Sequence, residues 1–448
     1  MSTHLADSAI YGHLWTTPEL HDRLDDTGRT RAWLDILAAL AAAQADVGLV
    51  PRQAAQDIAE HARVEALDLA EVGAGTRSSG HSTHGLIAAL RAVLPGRARE
   101  WVYYGATVQD VTDTWFALVM RSVLDVVDRD LARCEAAALD LARRHRDTVM
   151  CGRTHGQPGL PITFGFKAAV WADEIDRHLE RLAQVRPRVE VVQLGGALGT
   201  GEFVGDADRP LLEAFASRLG LGAPDLPWIT ARDRVVEFVG LLAMVAGTLA
   251  KIGNEIVELQ RPEIGEVGEP VVAGTVGSIT MPHKRNPELS EHLDTLARRV
   301  RADAGVTLEG LVALHERDGR GWKAEWLALP EACQLTAVAL RFAATLLEGL
   351  TVDAARMRAN LEAHGAAMAS EPLMAVLAAR IGKHSAHDAV YAAAMAARDA
   401  GEDLGDRLVA DGLLTTEEVA AARDPARALG AATAFVDRVV ARSAAPHP

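Results

Sequence analysis

The chain has 448 residues, more than one domain usually holds, so two or three domains are expected. Hydrophobic residues make up 49% of it but aromatic ones only 4%, which leaves aliphatic side chains to fill a sizeable core. A formal net charge of −15 without a dense basic patch argues against nucleic acid as a partner. Cys134, Cys151 and Cys333 lie far apart without CxxC or ligand-like spacing, which argues against disulfide and zinc scaffolds and for a reducing cytoplasm.

Alanine and leucine abound and Val/Ile/Thr alternation is rare, so helix is expected almost throughout. The opening MSTHLADSAIYGHLW lacks a basic region followed by an apolar run and is not read as a signal peptide. Up to residue 111 the helices are short, broken by Pro51, Gly73, Gly75 and Pro95. Two polar segments interrupt them. Thr76-Arg77-Ser78-Ser79-Gly80-His81-Ser82-Thr83-His84-Gly85 reads as a hydroxyl- and histidine-bearing loop able to meet an anion. Trp101-Val102-Tyr103-Tyr104-Gly105-Ala106-Thr107-Val108-Gln109-Asp110 reads as a turn.

A long proline-free run then covers 112–149. Gly152-Arg153-Thr154-His155-Gly156-Gln157-Pro158 follows, and its glycines and proline make a turn rather than a packed helix. Histidine titrates near neutrality, so His155 can hold a proton and deliver it. A second run covers 162–186. The glycines from Gly195 to Gly201 follow no strand and miss the GxGxxG spacing, so they do not form a dinucleotide fingerprint.

The third run is 229–261. Within 233–260, Val235, Val236, Phe238, Val239, Leu241, Leu242, Met244 and Val245 make a helix apolar nearly all round, which must be buried in a large bundle or between subunits. Its longest apolar stretch, Phe238 to Ala250, is short for a bilayer and ends at Lys251, so no membrane span is expected.

Gly274, Gly277, Pro282 and Pro287 open a loop that contains Gly277-Ser278-Ile279-Thr280-Met281-Pro282-His283-Lys284-Arg285-Asn286-Pro287. Lys284 can offset a carboxylate's charge and Asn286 can donate a hydrogen bond to it. Ser278 and His283 are the loop's potential nucleophiles or bases. Runs 288–316 and 331–350 complete a set of five long segments. Between them stands His315-Glu316-Arg317-Asp318-Gly319-Arg320-Gly321-Trp322-Lys323-Ala324-Glu325-Trp326. A helix of roughly 30 residues is about 45 Å long, well beyond the usual globular helix. After 352 the helices are short again, and Ser443 to Pro448 are expected to fray.

The loop from Gly277 to Pro287 resembles the GSSxMPxKxNP signature of the fumarase/aspartase superfamily, with Ile279 in place of the second serine. That family includes adenylosuccinate lyase, argininosuccinate lyase, aspartase, class II fumarase and 3-carboxy-cis,cis-muconate cycloisomerase. Three other segments resemble family motifs: Gly105–Asp110 the GxTSxD turn, with Val108 for the serine; Gly152–Pro158 the RTHxQxA/P segment; and His315–Trp326 the HERD segment in its GxWxAEW form. Thr280 and the MPHKRNP run are most like the cycloisomerase and adenylosuccinate lyase branches.

The resemblance implies an all-α fold of three helical domains, 1–111, 112–351 and 352–448. The middle domain would be a long five-helix bundle forming the core of a homotetramer, with each active site built from three chains. It implies catalysis by Ser278 as base, His155 as proton donor, Lys284 and Asn286 as stabilisers of the aci-carboxylate, and Glu325 orienting His155 across the subunit interface. It also implies substrate contacts from Thr107, Thr154, His84, Gln109, Arg153 and Met281. No cofactor or metal is expected, and the partners are a small di- or tricarboxylate and further copies of the chain.

The expected reaction is β-elimination from a small substituted succinate, for instance an amino- or nitrosuccinate, to give fumarate or an analogue. Three alternatives stand beside it. The Trp322–Trp326 segment and the MPHKRNP form favour a 3-carboxy-cis,cis-muconate cycloisomerase. His84 and His155 favour an adenylosuccinate lyase, but Trp322, Lys323 and Trp326 occupy places where phosphate ligands would stand, and Gly85 replaces an aspartate. A catalytically silent structural relative is the non-enzyme reading, opposed by Ser278, Lys284, Asn286 and His155 occurring together.

Overall fold

The computed structural model describes residues 4–271, 274, 277–281, 283–364 and 368–442; Pro282 and Ser443 to Pro448 lie outside the described residues. Among the described residues the chain forms 17 α-helices, 69% of the protein is helical, and the fold is all-α.

Short helices come first: α1 (Pro18–Leu24), α2 (Asp26–Asp46), α3 (Arg52–His61), α4 (Leu69–Ser79) and α5 (His84–Val93). Their starts follow from local chemistry. The Thr17 hydroxyl accepts from the Leu20 N–H with Pro18 at the first helical position, and the Asp25 carboxylate accepts from the Gly28 N–H at 2.6 Å. Of the segment 76–85, expected as loop, residues 76–79 are instead the last turn of α4, closed by Gly80 at φ 65°, residues 80–83 form the connection, and His84 and Gly85 begin α5.

Helices α4 and α5 approach so closely that a Cβ on Gly85 would lie 2.1 Å from the Val72 carbonyl oxygen, and one on Gly75 would lie 2.9 Å from the Gly85 Cα. Gly85 is thus a packing requirement, and an aspartate has no room there.

Five long helices follow: α6 (Val108–Arg144), α7 (Phe164–Val189), α9 (Asp233–Gln260), α10 (Glu288–Glu309) and α11 (Gly319–Gly349), with the short α8 (Asp208–Leu219) between α7 and α9. The last long helix begins well before its expected start, because it runs through Pro330. That proline has no N–H to offer the Trp326 carbonyl. Buried Ala328, Leu329, Ala332 and Cys333 around it hold the helix by packing. Pro187 is likewise carried inside the last turn of α7. Helices α9 and α11 are long and apolar enough to cross a membrane, yet 61% and 72% of their most apolar windows are buried inside the protein, as core helices are.

Two short strand pairs depart from the all-helix expectation. Strands β1 (Val149–Thr154) and β2 (Gln157–Thr163) form an antiparallel hairpin, and β3 (Val267–Gly268) pairs with β4 (Thr351–Val352). Helix α12 (Ala354–Ala363) and five further helices between Ser370 and Arg442 follow.

Contacts group the chain into two units. The first holds Met1–Asp130, His178–Leu249 and Asp294–Arg341, and the second holds Leu131–Arg177, Ala250–Leu293 and Phe342–Pro448. The first unit buries Leu34, Leu37, Phe116, Phe238, Leu296 and Val338, along with a tryptophan cluster. In that cluster Trp33 meets Trp115 and Trp326 edge-on at 6.3 and 6.4 Å, and Trp326 meets Trp322 at 5.1 Å. Trp322 is therefore a core residue and Trp326 a half-buried member of the same cluster, rather than the lining of a phosphate site. In the second unit Leu373, Leu377, Val390, Leu408 and Val419 pack the C-terminal helices together.

Candidate active site

In the second unit, the signature loop is folded back on itself. A Cβ on Gly277 would lie 2.6 Å from the Lys284 carbonyl oxygen, so only glycine permits this approach. The Asn286 amide donates to the Gly277 carbonyl at 3.0 Å and more weakly to Glu288 at 3.4 Å. Asn286 therefore positions the residue next to Ser278, in addition to any contact it makes with a ligand. The Ser278 hydroxyl oxygen accepts from the Met281 N–H at 3.0 Å. A donor aimed at this oxygen favours its anionic form. Lys284 and Met281 are exposed beside it.

The base of the loop is pinned. The Glu269 carboxylate accepts from the Leu289 and Ser290 N–H groups at 3.2 and 2.8 Å, so one side chain ties the residue before the loop to the first turn of α10. A carboxylate at a helix N-terminus is also favoured by the helix dipole.

His155 stands at the tip of the β1–β2 hairpin. Thr154 pairs with Gln157, leaving His155 and Gly156 as a two-residue turn at φ 52° and 73°. Both are left-handed, as the I′ hairpin turn requires, and the conformation is unusual for a non-glycine residue. Thr154, His155 and Gly156 are exposed there.

Arg153, expected to contact substrate, instead donates with both terminal nitrogens to Glu266, at 2.9 and 2.7 Å. Glu266 is fully buried and also accepts from Asn360 at 2.8 Å. This bidentate pair fastens the hairpin to the segment before β3, so Arg153 holds His155's platform rather than a ligand.

The first unit carries a different constellation. Thr107 directly precedes α6. Its hydroxyl oxygen accepts from Arg317 at 2.9 Å, and the same guanidinium reaches the Gly196 carbonyl at 3.4 Å. The Arg317 Nε is buried without a hydrogen-bond partner, and no carboxylate pairs with this cation among the described residues. Tyr103 at φ 64° and His315 at φ 55° flank the constellation in strained backbone conformations. The Tyr103 hydroxyl hydrogen-bonds to Thr83 and Thr107, and burial, with Asp110 adding, pushes it up to about 12.

Beneath Thr107 lies Asp110. Its carboxylate accepts from the Thr107, Gly195 and Gly196 N–H groups and from the Gln193 amide, at 2.9 to 3.0 Å. Burial raises Asp110 to about 6 against the pull of these donors. One side chain thus organises both loops that hold Arg317's acceptors.

One turn further along α6, Asp113 receives two nitrogens of Arg232 at 2.7 and 3.2 Å, the Trp322 indole N–H at 3.1 Å and the Gln109 amide at 3.1 Å. On its other side Arg232 donates to both oxygens of Glu325, at 3.0 Å to the first. Side chains of Arg232, Asp113 and Glu325 are 2, 0 and 0% exposed. Burial raises Glu325 above the usual carboxylate range, Arg232 pulling against it and Asp113 with it.

Two expectations change here. Glu325 has no surface with which to orient His155 on another chain, since both its oxygens are committed to Arg232. Gln109 is 1% exposed and donates to Asp113 and to the Ile229 carbonyl, so it is a core residue rather than a substrate ligand. His84 lies exposed in the first turn of α5, after buried Thr83.

Arg317, Asp110, Asp113, Arg232, Glu266 and Glu269 were not among the expected site residues. Arg317 lay inside a quoted motif, and Asp110 closed the motif around Thr107. The other four had no local signal, because each is defined by a partner between 20 and 119 residues away.

A family model described as lyase matches residues 14–302, and one described as adenylosuccinate lyase C-terminus matches 366–439. The chain is 39% identical to N-acetyl-S-(2-succino)cysteine lyase of Dickeya dadantii (strain 3937), over 98% of each protein. It is 41% identical to 3-carboxy-cis,cis-muconate cycloisomerase of Pseudomonas aeruginosa, over 94% of this chain and 95% of the relative. Nitrosuccinate lyase of Streptomyces davaonensis is 38% identical, over 99% of this chain and 97% of the relative. Among solved structures, 3-carboxy-cis,cis-muconate lactonizing enzyme from Pseudomonas putida superposes with a TM-score of 0.88 at 36% identity, covering 98% of this chain and all of that one.

Proposed function

We propose that this chain, which belongs to the fumarase/aspartase superfamily of lyases, eliminates a leaving group from a small substituted succinate to give fumarate or a close analogue, without a cofactor. It acts as a cytoplasmic homotetramer. Assembly of four copies brings the Ser278 loop, the His155 tip and the Thr107–Arg317 pair onto one substrate.

The observation that carries the reading is Arg317. A guanidinium held by two neutral oxygens, with a buried Nε unpaired and no carboxylate paired with it among the described residues, is set to receive an anion. A substrate carboxylate fills that role and seats one end of the succinate against Thr107. At the other end Ser278, as alkoxide, takes the proton from the carbon next to the second carboxylate. The electron pair passes into that carboxylate as an aci-anion, which Lys284 neutralises where the charge develops. The pair then returns to form the double bond as the bond to the leaving group breaks, and His155 supplies the departing atom with a proton.

The nucleotide alternative is disfavoured by packing. Trp322 spends its one donor on Asp113, Trp326 lies in the tryptophan cluster, and Gly85 admits no side chain. A cycloisomerase remains a second reading, because the same Ser278 and carboxylate seats serve the reverse addition of a carboxylate across a double bond, and the relative from Pseudomonas aeruginosa is 41% identical.

The test is a panel of substituted succinates carrying thioether, amino and nitro groups, with carboxymuconate and adenylosuccinate, assayed on purified enzyme. A small diacid should exceed adenylosuccinate in kcat/KM by at least tenfold, about 1.4 kcal/mol. The Ser278→Ala variant should lose turnover by orders of magnitude at unchanged melting temperature. Adenylosuccinate as the best substrate would overturn the reading.

A further inference from the structure

Three helix starts in the first unit meet at one buried group. Asp113 sits in the second turn of α6, Arg232 immediately precedes α9, and Trp322 and Glu325 lie in the first two turns of α11. Arg232 grips Asp113 with two nitrogens and Glu325 with two, and its remaining reach goes to the Trp228 and Ile229 carbonyls at 3.3 and 3.4 Å. The Trp322 indole and the Gln109 amide cap the Asp113 end.

Three features set this ladder apart from ordinary core. Apolar packing of the same volume would serve stability as well or better, since desolvating two carboxylates and a guanidinium is costly. The ladder also carries one more negative than positive charge when both acids are ionised, and it has no exposed surface. Two of its members lie in the first two turns of the helices that adjoin the proposed anion seat: Thr107 is the residue before α6, and Arg317 stands two residues before α11. A rigid fork joining α6 to α11 fixes the span between the Thr107 hydroxyl and the Arg317 guanidinium in a way that slippery apolar contacts do not.

We propose that the buried Asp113–Arg232–Glu325 ladder positions the Thr107–Arg317 pair, and so determines selectivity for substrates that bear a second carboxylate. This rests on the reading of Thr107 and Arg317 as a carboxylate seat. None of the three ladder residues touches the substrate; each acts through the helix start it anchors.

Competitive inhibition by fumarate and by crotonate tests this on the full chain. The two acids share four carbons and a trans double bond, and differ in the second carboxylate. The wild-type enzyme should prefer fumarate. Glu325→Gln keeps the volume but loses one arm of the fork, and should cut the fumarate-to-crotonate preference at least tenfold while crotonate's own constant moves less than threefold. Arg232→Lys, which keeps the charge but not the fork, should do the same, and serves if the first variant does not fold. An unchanged preference in a folded variant, or loss of fold in both, would assign the ladder to stability alone and overturn the proposal. Arg317→Gln is the separate control: if it leaves the preference intact, the carboxylate seat itself is misassigned.

Discussion

The side-chain amide of Asn286 donates to the carbonyl of Gly277 at 3.0 Å, closing the signature loop around Ser278. The two residues are nine apart in sequence, and the bond sets the direction in which the Ser278 backbone leaves Gly277. Removing it leaves a buried core untouched, because Ser278, Ile279 and Lys284 all retain surface. Asn286→Ala should therefore keep the melting temperature of the parent and lower kcat by about a hundredfold, the cost of misplacing a reacting group by roughly 1 Å. Steady-state kinetics beside a thermal melt checks this; equal losses of activity and stability would count against it.

Arg317 offers the second prediction. Its replacement by glutamine retains a donor for the Thr107 hydroxyl but removes the charge. A hydrogen bond to a charged partner is worth about 1.5–3 kcal/mol, so KM for a diacid should rise by roughly ten- to a hundredfold, with kcat moved less. Inhibition by crotonate should hardly change. A KM equal to the parent's would remove Arg317 from the seat.

Asp110 predicts a pH dependence. Burial raises its folded value to about 6, whereas an unfolded chain titrates it near the ordinary aspartate value of 3.8. Between those values the folded state holds a proton that the unfolded state has released. The contribution of this group to stability is therefore present at low pH and declines as pH rises from 3.8 to 6. Activity runs the other way. The protonated acid accepts less well from the Gly195, Gly196 and Thr107 N–H groups, so kcat/KM should fall below about pH 6. In Asp110→Asn that acid limb should vanish from the pH profile and activity should be low throughout. An unaltered limb would place its origin elsewhere.

Gly85 gives a stability prediction free of catalysis. Gly85→Ala places a methyl group 2.1 Å from the Val72 carbonyl oxygen, where it must push α4 and α5 apart. Overpacking of this kind costs about 1–3 kcal/mol. A lowered melting temperature is expected, together with increased susceptibility of residues 69–93 to limited proteolysis. An unchanged melt would mean that the two helices separate freely.

Composition and spacing made much of this protein legible in advance. Aliphatic runs without proline over 112–149, 162–186 and 229–261 foretold three of the five long helices to within a few residues, because a side chain's helical preference is mostly a local property. The loop from Gly277 to Pro287 was equally readable, since its glycines and prolines break helices wherever they stand. His155 was legible as a turn residue but not as a hairpin tip: β1 and β2 carry Pro158, Pro161 and two glycines, a poor strand signature that only mutual pairing overrides. The start of α11 was misplaced for the converse reason, as burial around Pro330 outweighs one lost backbone bond.

What the tertiary structure alone decided is which polar residues are spoken for. From sequence, Arg153 and Gln109 are expected to contact substrate and Glu325 to orient His155, while Arg317 stands in a motif without an assigned role. Folding gives Arg153 to Glu266, Gln109 to Asp113 and Glu325 to Arg232, and leaves Arg317 without a counter-ion among the described residues. Charge pairing is settled by distance in space, and partners 93 to 119 residues apart in the chain leave no local trace of one another. The sequence determines the chemistry that is available; packing determines which of it remains unsatisfied, and therefore free to bind.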